Sequence, residues 1–426
     1  MSMRVLLISA NREDMDIRVP ALGLASIAAA TENAGHSTLL VDLMTASEPE
    51  AAVAEAIERL NPHVIGISVR NIDDQRMHNT RFLLDQAKQA VLWCRQLTTV
   101  PVVLGGAGFS ILPGPILEYL GADMGIQGEG EAIFPELLKR LQKGGTLCDL
   151  PGVYQRGLPT PARRTFSKAL DLFPLPDPSL MVRSLKGARN APVPVQTRRG
   201  CPLMCSYCST PTIEGKLVRW RSPESVVEWM SRWVAEGFRN FYFVDNTFNL
   251  PPAYAMRLCA KLISADMDVS WRCILFPGGI DEKLVTALSR AGCKEVSLGF
   301  ESGVENMLFR MKKQFAVADV RRAADLLRHY GIRTMGFLLL GGPGETRESV
   351  EGSLAFAESL GLDAMKLSVG IRIYPHTELA RVAEQEGLIS SEEDLLLPRF
   401  YLTRNLEKWL YETAAGYILK NPNWSF

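Results

Sequence analysis

Net charge is missing from this 426-residue sequence, because 47 basic and 47 acidic side chains cancel. No whole-chain field therefore draws it toward nucleic acid or an anionic lipid surface. It also lacks any run of about 18 or more apolar residues, which argues against a spanning helix. The first residues lack the basic start, apolar centre and small-residue cleavage site of a secretory signal. No collagen-like repeat or disordered composition is present. These absences lead us to expect a cytoplasmic protein with no nucleic-acid partner.

What is present is ordinary globular material, 47% hydrophobic and 22% charged, long enough for two or three domains. Short apolar runs alternate with helical patterns from the start: RVLLIS (4–9), STLLVDL (37–43), HVIGIS (63–68), PVVLGG (101–106) and ADMGIQG (122–128). Runs of this kind suit parallel strands covered on both faces. Residues 1–145 are thus expected to form an α/β, doubly wound, Rossmann-like domain. Residues 146–192 are rich in Gly and Pro and read as a linker. A second alternation over 193–385 places strands at 193–199, 240–246, 269–276, 295–302, 333–341 and 363–374. That predicts a partial (β/α)6 TIM-like barrel. Residues 386–426 read as a short helical extension in which Trp409 and Trp424 serve either the core or a gate. In both architectures ligands sit at the carboxyl ends of the strands, so candidates are the residues that follow each strand.

Five of the eight cysteines are scattered singly, and Cys94, Cys148, Cys259 and Cys293 read as buried small side chains. Cys201, Cys205 and Cys208 differ. They form C-x3-C-x2-C in the loop after the first strand of the second half. Structural zinc normally takes four N/S ligands, and no fourth follows at finger-like spacing. Three thiolates suit a 4Fe–4S cluster and leave one iron without a protein ligand. Iron–sulfur is the favoured reading and zinc the alternative.

CPLMCSYC at the end of the first strand of a six-unit barrel resembles the radical S-adenosylmethionine (SAM) superfamily. The resemblance implies that the three cysteines hold the cluster and that SAM chelates the remaining iron. Cleavage of SAM would then give methionine and a 5′-deoxyadenosyl radical. It further implies SAM contacts at Tyr207 beside the adenine, at Asp245 and Asn246 for the ammonium, and at Arg272 for the carboxylate. Glu301 and Ser302 fall at the ribose position, and the Gly341-Gly342 turn near the adenine. The residues themselves leave alternatives: a core aromatic for Tyr207, a helix cap for Asp245 and a buried ion pair for Arg272.

The first loop of the N-terminal half reads ANREDMDIRVPALG, without the Gly-x-Gly-x-x-Gly of dinucleotide sites. Glycines gather instead after strand four (Gly105, Gly106) and strand five (Gly128, Glu129, Gly130). PALGL, GG and GEGE in this order resemble the cobalamin-binding domain of the superfamily's cobalamin-dependent branch, whose class B members are methyltransferases. No histidine lies between Ala10 and Gly35, so the resemblance implies base-off cobalamin without a His ligand. The loop holding Ser68, Arg70 and Asn71 would lie beneath the cobalt. Arg70 is then either a fixed cation there or a partner of Asp73 or Asp74. The five histidines stand singly, and His376, after the sixth strand, is a candidate substrate contact.

The resemblance implies a C-methyltransferase for unactivated sp3 carbon, with a radical removing hydrogen and methylcobalamin delivering the methyl group. A cyclase or rearrangement enzyme without methyl transfer is the alternative, and a non-catalytic cobalamin sensor a remote one. Flavodoxin or ferredoxin is the expected electron donor. The substrate class stays open among a peptide or protein side chain, a lipid, a tetrapyrrole and a natural-product precursor.

Overall fold

The computed structural model describes residues 2–13, 19–182, 185 and 191–426. Residues 14–18 of the loop after the first strand, and 183, 184 and 186–190 of the expected linker, lie outside the described residues. Two compact units are present. One holds residues 1–74, 81–191 and 212–215; the other holds 75–80, 192–211 and 216–426.

The first unit alternates β1 (Arg4–Ser9), α1 (Leu22–Asn33), β2 (Ser37–Asp42), α2 (Pro49–Leu60), β3 (Val64–Ser68) and α3 (Leu84–Leu97). It continues through β4 (Val102–Gly105), α4 (Ala107–Ile111), α5 (Pro113–Leu120), β5 (Met124–Ile126), α6 (Ile133–Lys143), β6 (Val153–Gln155) and α7 (Ser179–Val182). The strands order as β2-β1-β3-β4-β5-β6. The first five are parallel, and β6 closes the edge antiparallel to β5. Within β1 and β3 nearly every residue is buried, which follows from helices on both faces. Chain order reverses between β1 and β3, the switch point where such sheets open a crevice at their carboxyl ends. The β6 edge comes from the region expected to be linker, since three residues of strand carry too little pattern to read.

The second unit holds β7 (Val193–Val195), β8 (Arg198–Arg199), α8 (Thr210–Glu214), β9 (Arg219–Trp220), α9 (Pro223–Ala235), β10 (Asn240–Phe243), α10 (Pro252–Ser264) and β11 (Ser270–Leu275). Most of α8 belongs to the first unit. Then come α11 (Glu282–Arg290), β12 (Cys293–Glu301), α12 (Glu305–Arg310), α13 (Val317–His329), β13 (Arg333–Leu340), α14 (Arg347–Leu360) and β14 (Ala364–Val369). The chain ends with β15 (Ile371–Arg372), α15 (Glu378–Gln385), β16 (Phe400–Tyr401), α16 (Glu407–Lys420) and β17 (Trp424–Ser425). A parallel seven-stranded sheet orders as β7-β10-β11-β12-β13-β14-β17. Burial alternates along β11, β12 and β13. Trp271, Cys273, Leu275, Val296, Leu298 and Phe300 are buried under the helices, while Arg272, Ser297 and Glu301 on the opposite face are half-buried. This is the alternation of a partial barrel with a packed outside and a usable inside. Helix α9 starts as the sequence predicts: Ser222 accepts the Ser225 N–H at 3.3 Å, and Pro223 fills the first position.

Two features differ from expectation. The sixth strand stops at Val369 because Gly370 takes a φ of +77°; the residues beyond it form β15, antiparallel to β16. The tail is not helix alone, because β17 pairs Trp424 with Met365 and adds a seventh parallel strand. Trp424 is therefore core, stacked on Tyr417 at 5.9 Å. In the first unit, a Cβ on Gly125 would lie 2.2 Å from the fully buried ring of Phe109. Gly125→Ala should therefore lower stability by about 1–3 kcal/mol, read as a drop in thermal midpoint; an unchanged midpoint would mean the ring has room to move.

Candidate active site at the strand ends

The cysteine loop has no regular structure between β8 and α8 beyond a turn at Ser206-Tyr207. Its position is set from outside. The Ser206 N–H donates to the Met311 carbonyl at 3.0 Å, and the Ser206 carbonyl accepts from the Leu379 N–H at 2.9 Å. Cys208 N–H closes the turn onto the Cys205 carbonyl at 3.2 Å. Cys201 is buried, while Cys205 and Cys208 are half-buried.

Beside Cys205 lies a cluster that motif reading only half anticipated. Lys313 Nζ is 3.2 Å from Glu301 Oε1, with only 8% of the lysine side chain exposed. The same ammonium lies over the Tyr207 ring, 5.3 Å from its centroid. Burial opposes the charge on Lys313, but Glu301, Tyr207 and Cys205 outweigh it and hold the ammonium well above the usual lysine range. Burial pushes the Tyr207 hydroxyl far up, with Glu301 adding to it. Burial also raises the Cys205 thiol, against the pull of Lys313. Glu301 itself sits in a left-handed backbone, φ +65°, at a register shift between β12 and β13. Such a conformation costs on the order of 1–3 kcal/mol for a non-glycine residue, so the ion pair fixes a carboxylate the backbone alone would not place. Tyr207 and Glu301 are brought together with Cys205. Lys313 was missed: it carries no motif, and nothing in Lys312-Lys313 says which lysine turns inward.

Asp245 does end β10, but it is 1% exposed and its carboxylate is engaged within the fold. It accepts from Thr197 N–H at 2.8 Å, Thr197 Oγ1 at 2.6 Å and Arg198 N–H at 3.1 Å, with Arg198 Nε 3.8 Å away. Burial raises its pKa, partly offset by Arg198 and Thr197. Asp245 thus ties the turn after β7 to the end of β10, which is a cap of a turn and not of a helix. Asn246 accepts from Thr210 Oγ1 at 3.4 Å. Asn249, which the sequence did not single out, continues the lacing by pairing with both backbone groups of Phe276 at 2.8 Å.

Ser302 is buried and spends its hydroxyl on Ser353 at 2.8 Å and on the Val304 N–H at 3.1 Å. Arg272 lies near the amino end of β11, facing Glu295 at 3.4 Å and stacked toward Tyr242. The ion-pair alternative describes it, though the pair is half-buried and stands away from the cysteine loop's end of the sheet. Gly341 and Gly342 donate to Glu345 at 2.6 and 3.2 Å. A Cβ on Gly341 would lie 2.2 Å from Leu402, so packing of the C-terminal segment demands that glycine. His376 is exposed, one residue before the Thr377 cap of α15.

The N-terminal strand ends give a mixed answer. A Cβ on Gly106 would meet the Val69 carbonyl at 2.5 Å, on Gly128 the Arg164 guanidinium at 2.9 Å and on Gly130 the Ile27 side chain at 2.7 Å. Those glycines serve close packing. Gly105 is less crowded, a Cβ there meeting only the Ile126 carbonyl at an ordinary contact distance of 4.0 Å. Ser110 bridges the two glycine loops, donating to the Gly106 carbonyl at 2.8 Å and accepting from the Gly128 N–H at 2.9 Å. Glu129 accepts from the Ser167 N–H at 3.1 Å. Ser68 is half-buried at the end of β3, Asn71 is half-buried and Arg70 is exposed. Asp74 pairs with Arg81 at 3.2 Å. The uncrowded Gly105 at the end of β4, next to β3 of the switch point, is compatible with a large ligand lying against the strand ends.

For the cysteine loop, the donor set decides the fit. Among the described residues no three His, Cys, Asp or Glu side chains gather around one metal ion. A structural zinc takes four ligands, whereas three thiolates can hold a 4Fe–4S cluster and leave one iron without a protein ligand. Three cysteines on one pinned loop, backed by a buried cation, suit the cluster.

The family model for the radical SAM superfamily matches residues 195–357, and that for the B12 binding domain matches residues 12–138. The chain belongs to the cobalamin-dependent radical SAM family. It is 28% identical to an uncharacterized methyltransferase of Pyrococcus horikoshii, covering 91% of this chain and 84% of that protein. It is 26% identical to the tryptophan 2-C-methyltransferase of Streptomyces laurentii, over 76% of this chain and 65% of that one. Among solved structures it is similar to the radical SAM methyltransferase TsrM of Kitasatospora setae, with cobalamin and a 4Fe–4S cluster bound. That match has a TM-score of 0.81 at 26% identity, covering 90% of this chain and 75% of that one. The chain is thus an enzyme of the cobalamin-dependent radical SAM methyltransferase type, with a 4Fe–4S cluster, SAM and cobalamin as its cofactors. No helix among the described residues is long and apolar enough to cross a membrane.

Alkylation of the apoprotein should map these environments. Cys148 is exposed, contrary to its expected burial, and should label first. Cys94 and Cys259, buried and pushed up to about 12, should resist until unfolding, because the thiolate is the reactive form. Anaerobic iron and sulfide loading should then protect Cys205 and Cys208 while leaving Cys148 open. Unchanged labelling of the loop after loading would contradict the cluster assignment.

Proposed function

We propose that this enzyme methylates a carbon of its substrate, an unactivated sp3 centre in the leading reading. The observation that carries it is the joining of two sites in one chain: a cysteine loop with Tyr207, Glu301 and Lys313 around it, and a doubly wound unit with an uncrowded glycine, Gly105, at the end of β4. Cys201, Cys205 and Cys208 would hold the cluster, and Tyr207 and Glu301 would meet SAM. Gly105 and the loop of Ser68, Arg70 and Asn71 would receive a base-off cobalamin. When bound, these groups supply a carbon-centred radical, a transferable methyl group and the one-electron chemistry that links them.

The chain's own residues do the rest. Strand-end ties through Asp245 and Asn249 keep the carboxyl ends in register, so a ligand meets a preset surface. Glu301 presents a carboxylate to hydroxyl donors from a fixed left-handed turn. A low-potential flavodoxin or ferredoxin would supply the electron. The substrate could be a side chain, a lipid, a tetrapyrrole or a natural-product precursor.

Anaerobic turnover with SAM, reductant, hydroxocobalamin and host extract should release 5′-deoxyadenosine and S-adenosylhomocysteine together, both dependent on extract. Deoxyadenosine alone would transfer the assignment to cyclisation or rearrangement. Homocysteine product alone would mean methyl transfer to a nucleophilic carbon without hydrogen abstraction. Cys205→Ala should abolish deoxyadenosine by at least a hundredfold while cobalamin still binds, and retained cleavage would sink the cluster's role.

A further inference from the structure

Lys313 has no place in any motif of the sequence, yet it is the hub of the best-defined polar cluster in the second unit. It follows α12 on the connector to α13. The carbonyl of Met311, two residues earlier, receives the Ser206 N–H of the cysteine loop. Its ammonium reaches Glu301 at 3.2 Å and lies 5.3 Å from the Tyr207 ring and 6.0 Å from the Phe315 ring. Cys205 interacts electrostatically with both Lys313 and Glu301. The neighbouring Lys312 instead pairs with Glu378 at the surface, so the two lysines do different work.

We propose that Lys313 is a positioning and charge-setting residue of the cluster site: it fixes the Glu301 carboxylate beside the Tyr207 ring, and its positive charge raises the cluster's reduction potential. The inference rests on Cys201, Cys205 and Cys208 holding the cluster. The physical argument is short. Three thiolates, a sulfide-bridged cluster and Glu301 accumulate negative charge in a place where burial weakens screening. Adding one electron increases that charge, and a buried cation beside the loop lowers the cost of adding it. Net charge and polar contacts around the sulfurs are among the factors that set such potentials. With Lys313 gone, Glu301 would be left with its charge uncompensated, so both changes move the potential the same way. The electron comes from the external reductant in one-electron steps, and no bond at Lys313 is made or broken.

The test is an anaerobic redox titration of the full-length, cluster-loaded protein, followed by electron paramagnetic resonance without substrate. Wild type, Lys313→Arg and Lys313→Met are compared, with iron counted per chain. The expected result is a more negative midpoint potential in Lys313→Met, with Lys313→Arg remaining closer to wild type. SAM affinity should fall at least tenfold in Lys313→Met, since Glu301 loses its anchor. A Lys313→Met cluster titrating at the wild-type potential overturns the proposal. If Lys313→Met takes up no iron, Lys313→Arg decides: iron in Arg supports a requirement for charge, and iron lost from both at unchanged thermal midpoint overturns it. A wild-type chain without a cluster would instead overturn the cysteine assignment beneath the proposal.

Discussion

Backbone groups in the cysteine loop have no helix or strand to satisfy them, so the loop depends on partners elsewhere in the second unit. Two hydrogen bonds through Ser206, to Met311 and from Leu379, supply that anchorage. They determine which side chains surround Cys205. Met311 leads directly to Lys313, and Leu379 opens α15 in the core that also holds Met307, Ile371 and Tyr401. A buried polar backbone without such partners costs several kcal/mol or shifts the chain. The three thiols therefore stand where the barrel puts them, and the ion pair of Glu301 with Lys313 becomes part of the same frame.

The strand ends show how one fold can be laced for chemistry. Asp245 joins the turn after β7 to β10, Asn249 joins β10 to β11, and Glu345 holds the turn after β13. Each uses a side chain to meet backbone groups that parallel strands leave unpaired where they end. Motif comparison gives some of these residues to the ligand, but the hydrogen bonds assign Asp245 and Ser302 to the scaffold. Glu301 differs because its partner is another side chain, which leaves part of its carboxylate able to turn toward a ligand.

Most of the architecture was legible because long parallel strands announce themselves as apolar runs, and because Ser222-Pro223 and the glycine turns punctuate them. Short elements were not. Val153–Gln155 and Trp424–Ser425 become strands only through pairing with a neighbour, a tertiary effect without a local pattern. Gly370 ended the sixth strand early because a positive φ was needed where sequence showed only apolar continuation. At the site, cysteine spacing exposed the loop, strand-end position drew attention to Glu301, and Tyr207 came with the family resemblance as the aromatic before the third cysteine. Arg272 pairs with Glu295 part-way along the strand, a cross-strand contact that strand-end reading does not anticipate. Lys313 and Ser110 were invisible because their roles come from burial and from partners far away in sequence. The glycines at 106, 128 and 130 were read as space for a ligand, although carbonyl, guanidinium and isoleucine atoms fill most of it.

The central claim is that three cysteines hold a four-iron cluster and leave one iron for SAM. Mössbauer spectroscopy of protein reconstituted anaerobically with isotopically enriched iron addresses it most directly. The account predicts a cubane cluster in which one iron is distinct from the other three and changes its spectrum when SAM is added. A single iron in an all-sulfur site, or a cubane indifferent to SAM, would contradict it.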